Sequence, residues 1–272
     1  MNLLPEFWQG MKKLSLKIGC RLALGVFLTI SLMFAAGCSD RRTPTGALLN
    51  SAADAARNGQ WDEAGKFALK VLKRDPANAD ALVLHALASE RLGRGELALE
   101  SARKAAELYP ENYAAQYTLG RLLARRPGAA AEAIVPLERA LKVRPGDVNT
   151  LLLLGQCSGK INADNTIDYY RMLPLDVRAR PEVQNQIAIY YVARRGANRH
   201  NLELAFKALG LAYKAAPDNP GIVLNLALFL DHHARSGKRA AGFYRRYLIL
   251  TEHNPELNPT RAQVQARIRA IR

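Results

Sequence analysis

The chain has 272 residues, 49% of them hydrophobic but only 7% aromatic, and a formal net charge of +15. That apolar content allows a sizeable core and excludes wholesale disorder, and the length fits one large domain or two ordinary ones. Ala and Leu dominate, and runs of Val, Ile and Thr are missing, so the composition excludes a β-rich fold and predicts an all-α protein. The charge is uneven: residues 171–272 carry 17 Lys/Arg against 7 Asp/Glu, whereas residues 38–170 are nearly balanced. Such asymmetry favours an anionic partner, or else a set of merely solvated Arg-bearing helix faces.

The N-terminal region reads as an address. Basic residues 11–21 (MKKLSLKIGCR) precede sixteen uncharged residues, Leu22 to Gly37 (LALGVFLTISLMFAAG). A spanning helix takes about twenty residues, so this stretch suits the core of a secretory signal peptide. Met11 is an alternative start, since the first ten residues add nothing to the pattern. The stretch ends in Ala35-Ala36-Gly37-Cys38, which resembles a bacterial lipobox with Ala in place of the favoured Leu. The resemblance implies lipidation at Cys38, a signal peptide over 1–37 and a short polar tether over 38–44. Ser39 after the Cys implies the outer membrane by the enterobacterial sorting habit, with the folded part facing the periplasm. An ordinary cleavage site and an uncleaved anchor are the alternatives. With Cys38 lipidated, Cys157 has no disulfide partner, and the core alone must hold the fold.

From residue 45 onward the sequence repeats itself. GQWDEAGKFALKVLKRDP ends at Pro76, GRGELALESARKAAELYP at Pro110, GAAAEAIVPLERALKVRP at Pro145 and NLELAFKALGLAYKAAP at Pro217. Ala64, Ala98, Ala133 and Ala205 each stand twelve residues before the Pro; Val71, Ala105, Ala140 and Ala212 stand five before it. Spacings of 34 and 35 residues separate the first three Pro residues. Small residues at fixed offsets let two helices cross closely, Gly59, Gly93 and Gly128 supply turns, and each Pro ends its helix. The Leu119-Gly120 and Leu154-Gly155 pairs, with Ala86 and Ala227 elsewhere, suit further close contacts.

This pattern resembles the tetratricopeptide repeat, a pair of antiparallel helices. The resemblance implies a right-handed α-α solenoid of five to six hairpins over 45–258, with repeats at 45–78, 79–112, 113–147, 148–185, 186–219 and 220–256. The fourth is degenerate, its second helix cut short at Pro174. The stretch from Pro259 to 272 predicts a capping helix with Val264, Ile268 and Ile271 on one side.

No phosphate loop, Cys-x-x-Cys pair or His-Glu-x-x-His occurs, so no enzyme activity, metal site or cofactor is expected. His232 and His233 are adjacent and point about 100° apart on a helix. Cys157 suits a buried thiol. In the tetratricopeptide family the fifth and ninth positions of the first helix commonly face the groove. Here they fall on Val83 and Leu87, Tyr117 and Arg121, Leu152 and Gln156, Tyr190 and Arg194, and Leu224 and Leu228. The Lys and Asn that chaperone-binding members carry there are absent. Tyr117, Arg121, Gln156, Tyr190 and Arg194 are the candidate partner-binding residues, since Tyr and Arg often anchor interfaces. The alternative is that the rings pack between repeats and the Arg residues are solvated. The sequence thus predicts a membrane-anchored scaffold or assembly factor gripping an acidic, partly hydrophobic protein segment, with no nucleic acid. The rival is a module docking on anionic lipid or lipopolysaccharide through its basic C-terminal half.

Overall fold

The structure, a computed structural model, describes residues 43–196, 198 and 200–271. Among these residues there are fourteen α-helices, one 3-10 turn and no strand. The signal-peptide and Cys38 expectations lie outside the described residues, as does the tether up to residue 42. No described helix is long and apolar enough to cross a membrane.

The chain divides into two compact units at the Pro76–Ala77 junction. The described part of the first is one hairpin, α1 (Thr45–Arg57) and α2 (Trp61–Arg74). Leu48, Ala52 and Ala55 of α1 are buried, as are Ala64, Ala68 and Val71 of α2. These positions recur every three or four residues, so each helix turns one narrow, small-residue stripe inward.

The second unit continues with α3 (Ala79–Arg91), α4 (Gly95–Leu108), α5 (Tyr113–Arg125), α6 (Ala130–Val143), α7 (Val148–Lys160), α8 (Thr166–Met172), α9 (Leu175–Arg178), α10 (Pro181–Ala193), α11 (His200–Ala215), α12 (Pro220–His232), α13 (Gly237–Leu250) and α14 (Asn258–Ala270). Helices pair as hairpins in chain order, α3 with α4 through α12 with α13. Neighbouring first helices also touch: α3 with α5, α5 with α7, α7 with α10, and α10 with α12. The degenerate fourth repeat has a second helix of only seven residues, α8, followed by the single turn α9. Pro174 ends α8 because it biases Leu173 away from helical geometry, and Leu173 sits at ψ 144°. The fifth hairpin begins at Pro181, five residues earlier than the repeat spacing predicted. Proline is suited to the first helical position, where its missing N–H is no loss.

Two devices set the helix ends. The first helices α3, α5, α7 and α12 are each capped by a side chain, Asn78, Asn112, Asp147 and Asn219 respectively, which accepts from a backbone N–H two or three residues on. Each cap follows the repeat-ending Pro by two residues. The inter-helix turns use a residue of positive φ: Gly59 (74°), Gly93 (75°), Gly128 (80°), Asn162 (54°) and Arg235 (48°). In the second repeat the Arg94 N–H then donates to the Ser89 carbonyl at 2.8 Å, closing the helix end.

The close helix crossings follow the sequence pattern. Ala64, Ala98, Ala133 and Ala205 are fully buried, as are Val71, Ala105, Ala140 and Ala212. At Gly120 a Cβ would lie 2.5 Å from Leu137 Cγ, and at Gly155 it would strike the Tyr170 ring. Only the absence of a side chain lets these helices meet.

Helix α14 closes the unit, with Val264 buried and Ile268 and Ile271 packed against the core. Its Arg267 donates to both oxygens of Asp231 on α12, at 2.7 and 2.8 Å. The Tyr244 hydroxyl donates to the same carboxylate at 3.1 Å.

Candidate functional site

The sequence-predicted residues Tyr117, Arg121, Gln156, Tyr190 and Arg194 all sit on or at the end of first helices of the second unit. Neither Arg is available in the way the spacing predicted. The Arg121 guanidinium clamps Glu90 of α3 with both nitrogens, Nη1 to Oε1 at 2.9 Å and Nη2 to Oε2 at 2.6 Å. Arg125 adds a third bond to Glu90 at 3.2 Å. The side chains of Arg121 and Glu90 are only 21% and 14% exposed. Arg194 lies just past the end of α10, where it donates to the Asp164 carboxylate at 2.9 Å and the Asn162 carbonyl at 2.7 Å. Its guanidinium also stacks 4.1 Å above the Tyr190 ring, and the Tyr190 hydroxyl donates to the Asp164 carbonyl at 3.1 Å. Repeat register implied two Arg side chains open to the groove, and these intramolecular bonds correct that expectation. Arg121 finds its carboxylate at the end of the preceding repeat's first helix and holds it in bidentate geometry. Arg194 instead finds one in the loop after that helix and sets two nitrogens on a single oxygen.

Tyr117 is half-buried and stacked on Tyr113, with ring centroids 5.5 Å apart. Tyr113 in turn lies under the Arg144 guanidinium at 4.0 Å. Burial pushes the Tyr117 hydroxyl above its ordinary pKa. Gln156 is exposed on α7. These five residues do not form one pocket: each Tyr–Arg pair ties its own repeat to the one before it.

The same face offers an apolar opening elsewhere. A cleft of about 300 Å³ lies between α10 and α12, floored by Ala188 and Leu209 and walled by Ile189, Val192, Leu228 and Phe229. Ile189 and Leu228 are 43% and 38% exposed, unusual for aliphatic side chains facing each other across two helices. At one end Asn225 donates to the Asn185 side chain at 2.9 Å, bridging α12 and α10. His232 and His233 stand at the other end. Burial, then the nearby charges of Arg195 and His232, hold His233 below the usual imidazole pKa, so it is neutral at neutral pH. No lining residue is acidic. The cleft is at the small end for ligand pockets, with room for one or two large apolar side chains.

Leu228 and Leu224 were placed on the groove by repeat register alone. Ile189 and the cleft were missed because α10 and α12 read simply as apolar. The readable signal is surplus: GIVLNLALFL carries more large apolar residues than one buried stripe can use.

Other candidate chemistry is absent at these positions. The Cys157 thiol is fully buried and its pKa is raised by that burial, which suits a packing role. Among the described residues no group of three or more His, Cys, Asp or Glu could hold a metal ion.

No protein-family model and no curated protein matches the chain. Solved structures do. PilF of Pseudomonas aeruginosa is 20% identical with a TM-score of 0.58, over 80% of this chain and 97% of that one. PilW, described as a widely conserved type IV pilus biogenesis factor, is 18% identical with a TM-score of 0.60, over 79% of this chain and 97% of that one. Together with the buried Ala and Gly crossings, these likenesses establish an all-helical fold of the tetratricopeptide-repeat type.

Proposed function

We propose that this protein is a non-enzymatic interaction scaffold that holds an extended segment of a partner protein along its first-helix face. The observation that carries the proposal is the apolar cleft between α10 and α12, open to solvent beside Ile189 and Leu228. Burying what remains exposed of two such side chains against a partner contributes about 1–3 kcal/mol, enough to make them anchors of a modest interface. The partner segment supplies apolar side chains to the cleft. Arg195, exposed beside His233, favours acidic residues flanking them. Export through the 1–37 signal segment and a lipid on Cys38 would hold the scaffold at the outer membrane, facing the periplasm. PilW's description as a pilus biogenesis factor makes assembly of an envelope machine a concrete role to test.

The test places a photo-crosslinking amino acid at Leu228 in cells, with Glu100 on α4 as the comparison site. One protein should be captured from position 228 and not from 100, and Ile189→Asp with Leu228→Asp should reduce its capture at least tenfold. Equal capture from both sites would remove the cleft from the function. Fatty-acid labelling lost in Cys38→Ser checks the anchor separately.

A further inference from the structure

Beyond the cleft, the outward side of the second helices presents a different surface. Helix α13 contains four Lys and Arg residues and no acid; the first acidic residue after it is Glu252. Its buried side is Ala240, Ala241, Tyr244 and Tyr247. Positions 238, 242, 245 and 249 fall within about 60° of arc, so Lys238, Gly242, Arg245 and Ile249 form one outward stripe, with Arg239 beside it. Lys238, Arg239 and Arg245 have no ion pair or hydrogen-bonded partner among the described residues, whereas Arg246 is turned to Asp218 and the Pro217 carbonyl. Ile249 is 71% exposed at the end of the stripe. Helix α11 adjoins through Tyr213, whose ring meets Phe243 edge-on at 5.3 Å. Its exposed residues include Lys207, Leu211 and Lys214, again cations without partners around an apolar side chain 49% exposed.

We infer that this α11–α13 face docks on an anionic phospholipid surface, with the cations against headgroup phosphates and Ile249 entering the acyl boundary. Charge complementarity selects an anionic occupant, since each unpaired cation gains only when it meets negative charge. The exposed Ile selects lipid over nucleic acid. A phosphate track gains nothing from an isoleucine, the α13 rings Phe243, Tyr244 and Tyr247 are buried or half-buried, and the exposed Phe206 of α11 is taken up in stacking on Phe229. Each juxtaposed cation strengthens partitioning about fivefold at an anionic bilayer, so three act together by roughly a hundredfold. The face lies on second helices, so it leaves the first-helix cleft free for a protein partner, and it does not depend on that partner.

The test uses the full chain carrying Ile249→Trp, with the wild-type emission from Trp8 and Trp61 subtracted. Reading position 249 directly keeps the result independent of how residues 1–42 meet the vesicle. The difference emission should shift to the blue on phosphatidylcholine vesicles containing phosphatidylglycerol and not on phosphatidylcholine alone, and high salt should abolish the shift. Adding Lys238→Glu, Arg239→Glu and Arg245→Glu should weaken the response at least tenfold with unchanged helical circular dichroism. Arg239→Lys with Arg245→Lys should preserve it. An equal shift on neutral vesicles, or no shift on either, would overturn the proposal. So would a shift produced by polyglutamate and not by vesicles, which would assign the face to an acidic protein.

Discussion

The Gly120 crossing gives a sharp test of how the helices are held, because the same substitution should have opposite signs at two glycines. At Gly120 an added methyl would meet Leu137 Cγ at 2.5 Å, Cδ2 at 2.7 Å and the Leu137 backbone nitrogen at 3.3 Å. Leu137 is fully buried, so its side chain has no vacant direction in which to swing, and the backbone contact means that α6 itself must move. Overpacking of this kind costs about 1–3 kcal/mol. Replacing Gly by Ala inside a helix returns about 1 kcal/mol of propensity, so Gly120→Ala should be destabilising by a net of up to ~2 kcal/mol. For a chain of this size that lowers the melting temperature by up to about 8 °C. Gly210 lies inside α11, is exposed, and has nothing within 4 Å of a built Cβ. There only the propensity gain applies, and Gly210→Ala should raise stability by up to ~1 kcal/mol. Melting curves followed by far-ultraviolet circular dichroism measure both. Gly120→Ala melting at or above wild type would refute the close crossing of α5 and α6.

Ala98 is likewise fully buried, and Ala98→Leu should cost about 1–3 kcal/mol in denaturant unfolding, while Leu at exposed Ala114 on α5 should be nearly neutral. Glu90→Ala strands Arg121 and Arg125, and a loss of ~1–3 kcal/mol is expected, measurable as a coupling between Glu90 and Arg121 in a double-mutant cycle. The Arg267 bond holds the Asp231 carboxyl below the usual carboxylate value, followed by the Tyr244 hydroxyl against the opposing effect of burial. A lowered folded-state pKa means the stabilisation is complete above the unfolded value and disappears as pH falls through the folded one. Proteolysis within α14 should therefore rise under acid conditions, and Arg267→Met should remove that pH dependence.

The crossings were legible because only small residues allow close packing, and Ala98, Ala133 and Ala205 keep a fixed distance from the Pro that ends their helix. Gly93 and Gly128 were legible as turns for the same local reason, whereas Asn162 carries a weaker form of that signature and Arg235 does the same work with none. The Arg ties were not legible. Tyr117 and Arg121 share a helix face by their spacing, but Glu90 stands 31 residues earlier, and only the chain's return path brings it alongside. Arg194 and Asp164 repeat that arrangement 30 residues apart. The start of α10 was misplaced because the extra residues between Pro145 and Pro217 were all given to the fourth repeat, 148–185, whereas Pro174 and Pro181 cut that repeat short and leave them to the fifth.

The capped first helices bear on how such a chain changes length. Because Asn78, Asn112, Asp147 and Asn219 each sit two residues after a closing Pro, the signal that starts a hairpin travels with that hairpin and not with its neighbour. A stretch such as 112–146 is thus a cassette with its own ignition. Duplicating it in frame should lengthen the array by one hairpin while leaving every flanking helix with the start and stop it already has. Growth by copying is limited only by the ties that reach across a junction, such as Glu90 with Arg121, and the copied pair would arrive with one partner of each tie already in place.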